Sequence, residues 1–96
     1  MLQKYHIVRV TSDSAVTSVP ASIMGVLLTA GTANMTIEFT NDATGAGTNA
    51  LEVSALANSC SWIDLSAMGG VHFNSKIYAD INGTGAVAYV FVNIGG

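Results

Sequence analysis

The clearest hydrophobic pattern lies at residues 34–40. Met35, Ile37 and Phe39 alternate with Thr36, Glu38 and Thr40. A repeat of two turns one side toward a core and the other toward water, which predicts a half-buried strand. Residues 50–56 alternate again, with Leu51, Val53 and Ala55 inward and Glu52 and Ser54 outward. Residues 23–30, I-M-G-V-L-L-T-A, are apolar on both faces. So short a run does not separate strand from helix by periodicity, and a short helix after Pro20 is the alternative. Gly25 and the β-branched neighbours favour a buried central strand. Residues 59–65 hold Cys60, Trp62, Ile63 and Leu65, again on both sides, and Gly69-Gly70 ends that run. Residues 3–11 predict a first strand of mixed character. Tyr5 and Ile7 share a face with Arg9, and Val8 and Val10 share one with His6. An edge or a terminal arm tolerates that mixture. Residues 11–22 are polar, contain Pro20 and read as a loop.

Residues 76–92, K-I-Y-A-D-I-N-G-T-G-A-V-A-Y-V-F-V, set two apolar runs around N-G-T-G and predict a C-terminal β-hairpin. Two registers are open. A two- or four-residue loop puts Ile77, Ala79 and Ile81 beside Ala86, Ala88 and Val90. A three-residue loop with a bulge puts them beside Val87, Tyr89 and Phe91. The second gathers the bulky residues on one face and leaves Asp80 outside with the alanines, so it is preferred. The whole pattern predicts an all-β fold: a small β-sandwich, or a partly open barrel, of about six to seven antiparallel strands. The chain, residues 1–96, reads as a single domain, with residues 1–22 an N-terminal strand or arm and loop.

Composition sharpens this picture in one respect. Half the residues are apolar and 9% are charged, against about 25% charged in an average domain. Lys and Glu normally keep sheet edges and surfaces from associating. Their scarcity here points to a surface covered in an assembly, against the plainer alternative of a neutral, hydroxyl-rich exterior. Three cations and a formal charge of −3 do not suit nucleic acid, since about six to ten phosphate contacts require a comparable supply of cations. No apolar run approaches the roughly 18 residues of a membrane span. The start, M-L-Q-K-Y-H-I-V-R-V, interleaves charge with apolar residues, unlike a signal peptide, so production in a cytoplasm is the expectation. Cys60 is the one cysteine, so no disulfide forms within the chain.

Four stretches then suggest a family. I-M-G-V-L-L-T-A-G-T-A-N-M-T-I-E-F-T-N-D, G-A-G-T, G-G-V-H-F and K-I-Y-A-D-I-N-G-T-G-A-V-A-Y-V-F-V resemble small structural proteins of tailed bacteriophages. In that group an apolar strand ends in a T-A-G-T-like turn and an alternating strand ends in Asp or Asn. A G-x-x-F turn later precedes a hairpin with a T-G-T-G-A-like tip. The resemblance covers residues 23–92. It departs after Phe73, where Asn74-Ser75-Lys76 stands in place of a glycine. It implies a β-sandwich serving as a capsid decoration (cement) protein, with neck, tail or fibre parts as relatives. The implied location is the virion, and the implied partner is the major capsid protein or another virion protein.

Chemistry-bearing residues give little else. Cys60 with His6 or His72 would make a thiolate–imidazolium pair, but an inert, partly buried strand cysteine is the plainer reading. The histidines lack metal-ligand spacing, alone or with Asp64 or Asp80. Asp42 is a turn former rather than a calcium ligand, because one carboxylate is too few. Glu38 and Glu52 sit on outward faces; as cross-sheet neighbours they would mimic a glycosidase pair, but solvated strand faces explain them. We therefore expect a non-enzymatic protein with no metal and no cofactor. Its interface residues are expected to be Tyr78, Asp80, Ala86 and Ala88 on the hairpin and Tyr5 in the arm, with Trp62 in the core. Small outward residues, Thr36, Thr40 and Ser54, let another sheet approach. Identical subunits favour a closed dimer or trimer. A carbohydrate- or surface-binding module is the alternative of another class.

Overall fold

The computed structural model describes residues 6–41 and 49–94. It is an all-β sandwich of two antiparallel sheets. The strands are β1 (His6–Val10), β2 (Ser14–Thr17), β3 (Ala21–Thr29), β4 (Met35–Thr40), β5 (Asn49–Ala55), β6 (Cys60–Asp64), β7 (Val71–Phe73), β8 (Ile77–Asn82) and β9 (Val87–Ile94). A single 3-10 turn, Ser66–Met68, is the one helical piece among the described residues. The five-stranded sheet runs β1-β9-β3-β6. β7 extends the β6 edge, pairing with Ala21–Ile23 while β6 pairs with Gly25–Thr29. The four-stranded sheet runs β2-β8-β4-β5.

The alternating stretches behave as their period requires. Met35, Ile37 and Phe39 are buried, and Leu51 and Val53 pack against the same core. Residues 23–30 fall in β3, the longest strand, at the middle of the five-stranded sheet. Its two-sided burial has a specific cause. A bulge at Met24 breaks the pairing with β9 between Ile23 and Gly25. One extra residue reverses the side each later residue faces. Ala21 and Ile23 therefore point inward before the bulge, and Val26 and Leu28 after it.

Residues 76–92 do not form a hairpin. β8 pairs with β2 and β4, whereas β9 pairs with β1 and β3. Both are central strands, and they belong to different sheets. The N-G-T-G segment is a corner that carries the chain across the sandwich. Gly83 and Gly85 take positive φ, 125° and 74°, a region open to glycine. The corner nests against the β3–β4 turn so closely that a Cβ on Gly31 would collide with the Thr84 carbonyl, and one on Gly83 with Met35. The preferred bulged register is therefore overturned. Ala86 and Ala88 are buried, with Val90 and Val92, and face Ile77 and Ala79 from the opposite sheet. Val87, Tyr89 and Phe91 point out.

Residues 11–22 also depart from the expected loop. Ser14–Thr17 pairs with β8 as an edge strand, with a bulge between Ala15 and Thr17. Its four residues and single large apolar side chain, Val16, leave no readable period. With β7 this raises the expected six or seven strands to nine among the described residues. Thr40, expected outside, is buried where the β4–β5 register shifts.

Candidate functional site

The chain pairs residues in rows across the outer face of the five-stranded sheet. One row is Arg9, Tyr89, Leu27 and Trp62 on β1, β9, β3 and β6; the next is Ile7, Phe91, Gly25 and Asp64. Apart from Arg9 and Asp64 at their ends these two rows are aromatic and aliphatic, while Asn93, Ser22 and His72 form a polar row toward one end of the same face. Trp62 is 51% exposed and Ile7 59%, so the core placement expected for Trp62 is wrong. Both sides of β6 carry apolar residues, and the core took the side with Ile63.

Gly25 explains where the indole lies. A glycine inside a strand leaves a gap in its row. The six-membered ring of Trp62 fills that gap, and a Cβ on Gly25 would collide with it. The indole then meets Phe91 edge to face, with centroids 5.2 Å apart and planes at 83°, the geometry that aromatic quadrupoles favour. Beside the pair is a cleft of about 280 Å³ lined by Met24, Trp62, Asp64, Ser66 and Phe91. Asp64 Oδ1 accepts from the Ser66 hydroxyl at 2.6 Å and the Ser66 amide at 2.9 Å. Those two bonds, the hydroxyl first, hold the Asp64 carboxyl below the ordinary aspartate value. The cleft thus pairs aromatic walls with an ionised carboxylate.

The outer face of the four-stranded sheet is chemically the reverse. Glu52, Glu38 and Asp80 stand directly opposite one another on β5, β4 and β8. Asp13 extends the row, its carboxylate accepting the Ile81 amide at 2.9 Å. A hydrogen bond shared with Glu38, then its charge, raise the Glu52 pKa. Desolvation, then the charge of Asp13, raise that of Asp80. Tyr78 lies half-buried on the same strand. Of the interface residues expected from sequence, Tyr78 and Asp80 therefore share this face. Ala86 and Ala88 are inside, and Tyr5 falls outside the described residues, as does Asp42.

The remaining constellations are not assembled. Cys60 is exposed on β6 rather than partly buried, opposite Thr29, whereas His72 stands opposite Ser22. Seven residues of β3 separate them, roughly 20 Å at about 3.3 Å per residue. His72 Nδ1 instead lies 3.1 Å from Ser22 Oγ. No group of three or more His, Cys, Asp or Glu among the described residues is placed to hold a metal. A second cleft, about 550 Å³, opens between the edges β5 and β6 and is lined by Asn34, Thr36, Ser54, Ser59 and Ser61, with Cys60 at its side. Sequence reasoning missed the Trp62–Phe91 surface, and its available signal was Gly25 inside an apolar strand. Comparison with protein-family models, curated proteins and solved structures finds no match for the chain.

Proposed function

We propose that this protein is a non-enzymatic virion structural protein of the capsid-decoration kind, which binds coat subunits and reinforces the shell. The observation that carries the reading is a protein-contact surface on a chain with few charges, an outer face on which Trp62 and Ile7 are exposed and Phe91 and Tyr89 half-buried. Aromatic residues on a flat, charge-poor sheet are what protein contacts use. The family resemblance of residues 23–92 supplies the identity of the partner. Cementing is passive: protein that binds the assembled lattice and not free subunits shifts the equilibrium toward the shell. A neck, tail or fibre subunit would use the same surfaces, and its position in an intact particle distinguishes it.

The test is to add purified protein to particles that lack it and to heat both. Binding with a raised shell melting temperature is the expected result. A protein that ignores such particles and leaves their melting unchanged is not a cement protein. One observation favours a surface- or carbohydrate-binding module as the second reading, namely the cleft that sets Trp62 beside Asp64 and Ser66. Saturable binding of neutral saccharides, lost in Trp62→Ala, would put that reading first.

A further inference from the structure

The outer face of the five-stranded sheet is apolar in its middle and oppositely charged at its two edges. Arg9 and Trp62 stand at the ends of one row, Arg9 on edge strand β1 and Trp62 on the opposite edge strand β6. Asp64 is the next outward residue along β6. Arg9 is exposed and pairs with no carboxylate among the described residues. Asp64 uses one oxygen for both Ser66 bonds, which leaves the other for an incoming donor. The Ser66 hydroxyl already donates to Asp64, so the cleft offers an acceptor and aromatic walls. That combination suits a planar cation and disfavours an anion.

We propose that this face binds a second copy of the chain about a two-fold axis, with Arg9 of each protomer seated on Trp62 and Asp64 of the other. The row spans three strand spacings, roughly 14 Å at about 4.8 Å each. A two-fold axis parallel to the strands, passing midway between Tyr89 and Leu27, exchanges the two ends of the row. The Arg9 contact is then made twice, and Tyr89 of each copy lies over Leu27 of the other. Such self-complementarity is what an isologous interface requires, and two sheets stacked this way pack in the aligned manner of sandwiches. Four strands about 4.8 Å apart, the longest of nine residues at about 3.3 Å each, give the sheet a face of roughly 500 Å², which suits a small, concentration-dependent contact rather than a standard interface of about 800 Å² per partner. The carboxylate row of the four-stranded sheet lies on the far side of each copy, where it does not oppose the contact. The inference rests on the reading of this face as a protein-contact surface. It leaves the other face, with Tyr78, for the coat.

The test is sedimentation equilibrium over a concentration series for the wild type, Arg9→Glu, Trp62→Ala and Tyr78→Ala, with circular dichroism to verify folding. The wild type should reach twice its 9.8 kDa mass. Arg9 is exposed on an edge strand, so its reversal leaves the fold intact and should weaken association more than tenfold. Trp62→Ala should weaken it roughly thirtyfold, as for an interface aromatic that anchors a partner side chain, and Tyr78→Ala should leave it unchanged. In the magnetic resonance spectrum the Trp62 indole signal should move with concentration in the wild type and not in Arg9→Glu. A monomer up to about millimolar concentration, a trimer, or association that survives both Arg9→Glu and Trp62→Ala would overturn the proposal. The two readings separate cleanly. A monomer that still binds and stabilises particles loses the dimer and keeps the cement function, and a dimer that ignores particles does the reverse.

Discussion

The two outer faces of this sandwich are built from the same strand chemistry and differ in what their rows bring together. On the five-stranded sheet, Arg9-Tyr89-Leu27-Trp62 and Ile7-Phe91-Gly25-Asp64 place rings and aliphatic chains side by side. On the four-stranded sheet, Glu52-Glu38-Asp80 places like charges directly opposite one another. The first arrangement gains by being covered. The second costs stability at neutral pH, because like charges across a strand pair repel. A protein with only nine charged side chains has thus concentrated several of its carboxylates on one face and left few charges on the other.

The sharpest way to break this comparison is to treat Trp62 as a core residue. Phe39 is fully buried, so Phe39→Ala should cost about 3–5 kcal/mol. Trp62→Ala removes a half-exposed ring and one edge-to-face contact, and should cost only about 1 kcal/mol. Chemical denaturation of the two variants measures both. Equal losses would mean that Trp62 belongs to the core and that the aromatic face is no surface.

Gly25→Ala probes how that face is shaped. The new methyl group displaces the indole from its seat, at about 1–3 kcal/mol for overpacking against a side chain that can move. Tryptophan emission should shift to longer wavelength as the ring leaves Phe91. Unchanged emission would show that the ring does not depend on the glycine.

Acidification should move the two faces in opposite directions. The pKa values of Glu52 and Asp80 are raised in the folded protein, so the folded state holds those protons more tightly than the unfolded chain. Stability from these groups therefore grows as pH falls through their folded values, and is complete below their unfolded ones. Asp64 is lowered. Its contribution is full above the ordinary aspartate value of about 4 and is lost as pH falls through the folded value. Thermal melts between neutral pH and pH 3 should show Asp80→Asn more stable than wild type at pH 7, with a flatter rise on mild acidification. Asp64→Asn should be less stable at pH 7, with a smaller loss at the acid end. An Asp80→Asn protein that melts below wild type at neutral pH would contradict the repulsion.

The smallest effect is expected from Tyr78→Ala, half-buried on the acidic face. Its melting temperature should fall by only a few degrees, roughly what about 1 kcal/mol yields in a domain of this size. Its value lies in particle binding, where a loss would assign the coat contact to this face.

What the sequence determined by itself was local. Alternation at Met35, Ile37 and Phe39 and at Leu51 and Val53 fixes strands and their inner faces, because the two-residue period of a strand needs no knowledge of its neighbours. The mixed run at residues 3–11 suited an edge or a terminal arm, and its described part, β1, is an edge strand; short strands with glycine-rich turns indicated a β-sandwich or a small barrel. Tertiary structure decided which strands meet. Six of the eight connections between the described strands change sheet, so neighbours along the chain are poor guides to partners in space. Residues 76–92 look like a hairpin because a hairpin is the nearest local solution. Their backbone bonds go instead to β1 and β3 on one sheet and to β2 and β4 on the other. The bulge at Met24 reverses which residues of β3 face the core, and no period in eight apolar residues announces it. Trp62 could have gone either way on a strand apolar on both sides. It lies outside because Gly25, opposite Phe91 on one strand and Asp64 on the next, leaves a seat for its ring that exists only once β3, β6 and β9 are side by side.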